Sequence, residues 1–298
     1  MNCPFLKETE VEYCESVAIR KLIPLSKSHE SYERCASPDY AGCPVFQEHN
    51  PEAQAVGSSC PHRRESLMQF CGATPVAKPV PYSESSISRC GSDAYRYCRL
   101  YLETAHPAME AAVVAGLAMP RRLRYAPNHM WLDVTEDGSC HVGVDAFLAR
   151  ALGSVDAISF VWTRGMHRPA AVLTVGGTDV TLTFPNEIEL TGCNIYLRAS
   201  PSRITEDPYG GGWLFEGKST ANVAKGALED DAAREWMRKE ERRMSDFLVS
   251  QVAGQRAASA ADGGTFVKGV AGRLSREQIL MLSQEFFSPY AGEQGELR

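Results

Sequence analysis

The sequence predicts an α+β chain with a cysteine-rich, metal-binding N-terminal domain, a β-rich central domain and a helical C-terminal extension. Three observations carry this. Eight cysteines recur in a duplicated pattern within the first hundred residues. Short β-rich runs separated by Gly, Pro or Asn fill the middle. Helical periodicity and a capping box mark the C-terminal part. The boundaries follow: residues 1–103 for the duplicated four-cysteine domain, 104–121 for a connecting helix, 122–217 for the central domain and 218–298 for the extension. A chain of 298 residues has room for two or three such units.

The duplication is read from the cysteines and their neighbours. Cys3, Cys14, Cys35 and Cys43 are separated by ten, twenty and seven residues, and Cys60, Cys71, Cys90 and Cys98 by ten, eighteen and seven. Cys3-Pro4 answers Cys60-Pro61, Tyr13-Cys14 answers Phe70-Cys71, and Lys21, Pro24 and Ser26 answer Lys78, Pro81 and Ser83. After a two-residue deletion, Arg34-Cys35, Tyr40 and Cys43 answer Arg89-Cys90, Tyr95 and Cys98. Each copy is about forty residues, below the size at which a core alone usually holds a domain, so a staple is expected.

Three staples compete. Disulfides need an oxidising compartment, and Met1-Asn2-Cys3-Pro4-Phe5-Leu6-Lys7 lacks the basic and apolar regions of a secretory signal, which points to the cytoplasm. Structural zinc suits four thiolates in a reducing cell, although neither copy has a close Cys-x2-4-Cys pair. A 4Fe–4S cluster is larger than one ion and can draw on well-separated loops, and Cys-Pro at Cys3, Cys43 and Cys60 is compatible with it. Zinc and iron–sulfur both stay open. The expectation is two metal sites, one per copy: Cys3, Cys14, Cys35 and Cys43 in the first, Cys60, Cys71, Cys90 and Cys98 in the second. His29 and His62 occupy different places in the two copies and read as surface residues. The Pro/Ser-rich stretch from Pro75 to Ser88 is a loop within the second copy.

Tyr95 to Met119 reads as one or two helices, with Ala111 to Met119 apolar all round and fit for burial. It is too short to span a bilayer. Trp131–Val134 and Cys140–Val144 around Glu136-Asp137-Gly138 read as a hairpin. Asp145 to Leu152, apolar at Ala146, Phe147, Ala149 and Leu152, reads as a short helix stopped by Gly153. Val155–Trp162, Ala171–Val175, Val180–Phe184 and Ile188–Leu190 are strands of a small sandwich or barrel. Gly210 to Gly212 is a turn that lets Trp213 close over the barrel; no Gly-Lys-Ser/Thr follows, so it is no phosphate loop. Cys140 and Cys193 read as core, and His129 as structural. Cys140 and His141, adjacent on a strand, point to opposite faces and make no nucleophile–base pair.

Two motifs in this region carry a resemblance. Tyr125-Ala126-Pro127-Asn128-His129-Met130-Trp131 and Glu206-Asp207-Pro208-Tyr209-Gly210-Gly211-Gly212-Trp213 resemble the two ends of the glycine cleavage system H protein, over roughly residues 122 to 217. The resemblance implies a barrel-sandwich hybrid and a carrier whose chemical asset is a lipoyl-lysine. Laid back without a gap from the second motif, with Leu182 and Pro185 matching, the lipoyl-lysine position falls on Gly177. No lysine stands between Lys78 and Lys218, so no shift recovers one. Arginine cannot replace it, because its guanidinium is delocalised and always protonated. Lipoate is therefore not expected.

After the central domain, Ser219 to Gln255 reads as one long helix, with Met237, Glu240, Met244, Phe247, Leu248 and Gln251 with Val252 tracing one face at helical spacing. Residues 254 to 265 read as a flexible linker. Ser275-Arg276-Glu277-Gln278 caps a second helix, Ile279 to Phe287, whose Leu280, Leu282, Phe286 and Phe287 are too apolar for water. A net charge of −6 argues against nucleic acid as a partner. No Gly-x-Ser-x-Gly, His-Glu-x-x-His or phosphate loop is visible. These readings add up to a non-enzymatic, metal-bearing redox or adaptor protein that meets protein partners through its H-like domain or C-terminal helices. The alternatives are a carrier of the glycine cleavage system and an enzyme using an unsaturated metal site.

Overall fold

A computed structural model of the chain describes residues 2–16, 21–23, 34–49, 57–80, 89–107, 110–161, 163, 165–252, 261–262 and 265–289. It divides into two compact units, Met1–Ser92 and Asp93–Arg298.

The first unit is built on β1 (Leu6–Cys14), β2 (Lys21–Ile23), β3 (Arg63–Cys71) and β4 (Lys78–Val80), in the sheet order β2-β1-β3-β4. β1 and β3 occupy corresponding places in the two copies, and they pair antiparallel along their full length, from Leu6↔Cys71 to Cys14↔Arg63. The flanking pairs repeat too: Cys14 stands opposite Lys21, and Cys71 opposite Lys78. Turns rather than strands follow, with 3₁₀ segments at Arg34–Ala36, Pro38–Gly42 and Arg89–Gly91 and a short α1 at Pro44–His49. Apolar burial is sparse. Tyr40, Phe46 and Cys60 form a small cluster with Cys35 and Cys43 against it. His29 and residues 81–88 of the expected loop lie outside the described residues.

The second unit opens with a 3₁₀ segment, Asp93–Tyr97, and α2 (Arg99–Ala105). The connecting helix expected over 104–121 is not formed. Its place is taken by a hairpin of β5 (Ala111–Val114) and β6 (Leu117–Pro120), turning through Ala115 and Gly116, both at positive φ. Val113 is 75% exposed while Val114, Leu117 and Met119 are buried, so the segment does alternate. An all-apolar sequence hides that alternation, and β-branched Val113-Val114 with Gly116 at the turn favours the hairpin.

The body of this unit is β-rich, as expected. β7 (Arg124–Tyr125), β8 (Met130–Val134) and β9 (Ser139–Val144) precede α3 (Ala146–Leu152). β10 (Ala157–Val161), β11 (Gly165–His167), β12 (Ala170–Val175), β13 (Thr178–Thr183) and β14 (Ile188–Cys193) follow. After α4 (Arg203–Glu206) comes β15 (Phe215–Lys218). Two sheets result, β11-β14-β15-β9-β8-β7 and β10-β12-β13. Leu132, Val142 and Phe215 from the first share one apolar core with Leu173, Val180 and Leu182 from the second.

The long helix, α5, spans Asp230–Val252 and starts eleven residues after the expected Ser219. The intervening chain is held otherwise: Gly226 takes φ 74°, and Leu228 exchanges backbone hydrogen bonds of 2.7 and 2.8 Å with Tyr125 at the sheet edge. Of the expected face Met237, Glu240, Met244 and Leu248 are buried, and Ala233 is buried with them. The expected linker falls mostly outside the described residues; within it Ala261–Asp262 pairs as a short strand with Thr265–Phe266. α6 (Arg276–Leu282) has the expected capping box at Ser275 and continues as a π turn, Ser283–Phe287. Leu282, Phe286 and Phe287 are buried, but Leu280 is 45% exposed, contrary to expectation. Among the described residues no helix is long and apolar enough to cross a membrane.

Candidate functional sites

The two sequence motifs of the central domain meet in space. Trp131 is fully buried, and its Nε1 donates to the Pro208 carbonyl at 3.0 Å. Tyr209 Oη donates to the Ala118 carbonyl at 2.8 Å and accepts from the Ala146 amide at 2.9 Å. Gly212 is required by space, since a Cβ there would stand 2.6 Å from the Arg203 carbonyl oxygen. Opposite Trp131 across the β8–β9 ladder stands Gly143, where a Cβ would lie 2.5 Å from the indole ring. Gly143→Ala should therefore cost about 2 kcal/mol by overpacking, read as a lowered unfolding midpoint in denaturant; an unchanged midpoint would show that the indole can shift freely. The motif residues thus pack and hydrogen-bond the domain together.

The β12–β13 hairpin turns through Gly176 (φ 55°) and Gly177 (φ 74°), between Val175 and its partner Thr178. Consecutive positive φ values are those of a two-residue hairpin turn, for which glycine has no steric cost. A Cβ added at either glycine would meet nothing within 4 Å. Gly177, singled out by the resemblance, is thus an exposed tip with no side chain. α6 and the π turn pack against β13, so the C-terminal extension braces the base of this hairpin.

The third feature is a buried charge relay. His129 sits in the left-handed region (φ 61°) and is fully buried, its ring stacked 3.8 Å from that of Phe147. Nδ1 lies 2.9 Å from Asp145 Oδ2, and Nε2 faces Glu240 Oε2 of α5 at 3.5 Å, an ion contact without hydrogen-bond alignment. Burial opposes protonation of His129, but Asp145 and Glu240 outweigh it and raise its pKa. Burial likewise opposes ionisation of Glu240, and His129 and Arg243 outweigh that, lowering its pKa. Arg243 in turn contacts Glu285 at 3.2 Å and lies over the Phe286 ring at 4.3 Å. The expected structural role of His129 is what the geometry supports: it anchors helix and tail to the β domain. Cys140 and His141 are both buried, and burial pushes the Cys140 thiol up to about 12, far from nucleophilic character.

In the first unit all the cysteines stand as thiols, but they do not gather copy by copy. The Cys60 amide donates to the Cys35 carbonyl at 2.8 Å. Cys14 stands opposite Arg63, whose amide reaches back to the Cys60 carbonyl at 3.1 Å. Cys43 donates its amide to the carbonyl of Tyr40, which packs with Cys60. Burial, and then the nearby thiols of Cys60, Cys43 and Cys14, push the Cys35 thiol up. Cys3 goes to the other end of the sheet: its amide donates to the Cys90 carbonyl at 2.8 Å, and Leu6, bonded to the Cys3 carbonyl, is paired with Cys71. By backbone position, Cys14, Cys35, Cys43 and Cys60 are neighbours at one end of the sheet and Cys3, Cys71 and Cys90 at the other. The reason is the antiparallel β1–β3 pairing, which carries the first cysteine of each copy to the far end of the other. Cys98 lies in the second unit, before α2. Among the described residues no group of three or more His, Cys, Asp or Glu side chains is arranged to hold a metal ion.

Comparison with known proteins bears on residues 123–241, which match the family described as glycine cleavage H-protein. The glycine cleavage system H protein 1 of Pseudomonas syringae pv. tomato is 30% identical over 113 residues, covering 37% of this chain and 89% of the relative. The chain belongs to the glycine cleavage H-protein family. The H protein of Streptomyces coelicolor is 32% identical over 113 residues, covering 36% of this chain and 89% of the relative. A crystal structure of an H protein from Mycobacterium marinum overlaps 41% of this chain and 98% of that one, at 22% identity and a TM-score of 0.32. The H-protein match takes in both motifs, the Gly176-Gly177 hairpin, His129, Asp145 and the part of α5 that carries Glu240. It leaves out the thiol-bearing unit and α6.

Proposed function

We propose that this protein is a non-enzymatic adaptor. An H-protein module without a lipoyl arm serves as a docking scaffold, joined to a thiol domain that binds zinc or an iron–sulfur cluster. The observation that carries the first part is the lysine-free stretch from Lys78 to Lys218, with a Gly-Gly tip where the resemblance looks for the modified lysine. Lipoate does not fit: its attachment is an amide on an ε-amine, and Gly177 offers no side chain at all. What remains is a rigid β scaffold whose helical tail is locked on by buried charges, which suits binding rather than group transfer. By the names of its relatives, the partners are proteins of the glycine cleavage system. Electron transfer follows only if the thiol domain carries iron–sulfur.

The test is lipoylation in vitro, with lipoate, ATP and a lipoate–protein ligase, read by intact mass. Wild-type protein should gain nothing. Gly177→Lys should gain one lipoyl group, because the tip stands in open space and a lysine at this φ costs only about 1 kcal/mol. A lipoyl group on the wild-type chain would overturn the adaptor reading in favour of the carrier.

A further inference from the structure

The sequence repeat suggests one metal per copy; the backbone geometry points elsewhere. We propose that Cys14, Cys35, Cys43 and Cys60 together bind one thiophilic divalent cation of the zinc class. The first cysteine of the second copy thereby completes the centre of the first. This rests on the metal-binding reading above and deepens it, by assigning a ligand set that mixes the copies and by choosing a single ion over a cluster.

Four observations converge. Cys60 and Cys35 are joined by a direct backbone hydrogen bond of 2.8 Å, so their Cα atoms are near neighbours. A tetrahedral ion with metal–sulfur bonds of ~2.3 Å brings its sulfurs to roughly 3.8 Å of one another, which such close backbones can supply; an iron–sulfur cube needs a wider cage. Cys14 is delivered beside the Cys60 turn by the β1–β3 register, and Cys43 by the 3₁₀ segment that ends on it. The surrounding apolar cluster is Tyr40, Phe46 and Cys60, too little to hold these turns by burial. Arg63, opposite Cys14 in the ladder and bonded through its amide to the Cys60 carbonyl, ties the Cys14 strand to the Cys60 turn. Since no three ligands yet converge on a point, closure is completed by rotation of the cysteine side chains as four thiols release their protons to solvent and four metal–sulfur bonds form.

The grouping is tested on the full chain, purified without oxygen and loaded with zinc, with metal per chain measured by elemental analysis. Cys14→Ser/Cys60→Ser should lose the same single ion as Cys14→Ser alone, whereas Cys3→Ser should leave that ion bound. Copy-wise centres predict the reverse, and that result would overturn the grouping while leaving the metal reading intact. Wild-type protein that binds no metal would overturn both. Iron with acid-labile sulfide would overturn the single-ion assignment only. Should the serine variants fail to fold, stepwise chelation of the wild type replaces them, with alkylation mapped by mass. Simultaneous exposure of Cys14, Cys35, Cys43 and Cys60 supports the proposal, and joint exposure of Cys3 with Cys14, Cys35 and Cys43 overturns it.

Discussion

Glu240→Ala is expected to lower stability by about 3 kcal/mol near pH 6, because it leaves a buried imidazolium short of one of its two counter-charges. Glu240 reaches His129 from α5 and holds Arg243, so its loss also loosens the link to Glu285 and the tail. The pH dependence identifies the pair. His129 has a raised pKa, so its contribution is full below its ordinary value of 6.5 and is lost as pH rises through the folded value. Glu240 has a lowered pKa, so its contribution is full above its ordinary value of 4.5 and is lost as pH falls through the folded value. The pair is therefore worth most between these two ordinary values. Urea unfolding of wild type, Glu240→Ala and Glu240→Gln at about pH 5.5 and 8 reads this out. The wild type should lose stability toward the alkaline side, and both variants should lose much less. A slope unchanged in Glu240→Gln would mean that Asp145 alone holds the proton on His129.

Tyr97→Ala should cost about 4 kcal/mol, the scale of removing a fully buried aromatic ring. The ring lies stacked 4.0 Å from His141, and its hydroxyl donates to the buried Asp133 carboxylate at 2.6 Å. Arg122 stands 3.6 Å from the same carboxylate. Tyr97→Phe keeps the stack and removes one donor from that carboxylate, so about 2 kcal/mol is expected. Denaturant unfolding followed by tryptophan fluorescence measures both, and a Phe variant as stable as wild type would show that Arg122 satisfies Asp133 unaided. The change matters for domain organisation as well as stability. Tyr97 belongs by sequence to the second cysteine copy, yet it packs in the core of the second unit. The end of the repeat and the edge of the compact unit therefore differ, at residue 103 and between Ser92 and Asp93.

Much of the central domain was legible because its signals are local. The Asp-Gly turn between β8 and β9, the strands broken by Gly, Pro and Asn, and the Ser275 capping box each depend on a few neighbouring residues. Their locations came out within a few positions. The hairpin at 111–120 was misread as helix because alanine, valine, leucine and methionine leave no polar residue to mark the period. The late start of α5 was missed because what holds 219–229 away from helix is Leu228 bonding to Tyr125, a partner about a hundred residues away. His129 was recognised as structural, but Glu240 was read only as one residue on a helical face. Nothing near it in sequence announces that it ends in the same buried site.

By itself, the sequence determined the family through two motifs that fold onto each other, the absence of lysine between Lys78 and Lys218, and the recurrence of four cysteines at nearly the same spacing. Those are matters of which residues exist and how they are spaced. Only the tertiary structure decided which thiols are neighbours and which charges share a buried site. Both are set by long-range pairing: an antiparallel ladder sends Cys60 to Cys35 and Cys3 to Cys90, and helix docking sends Glu240 to His129. A repeat is a pattern along the chain, whereas a site depends on proximity, and the antiparallel β1–β3 ladder separates the one from the other.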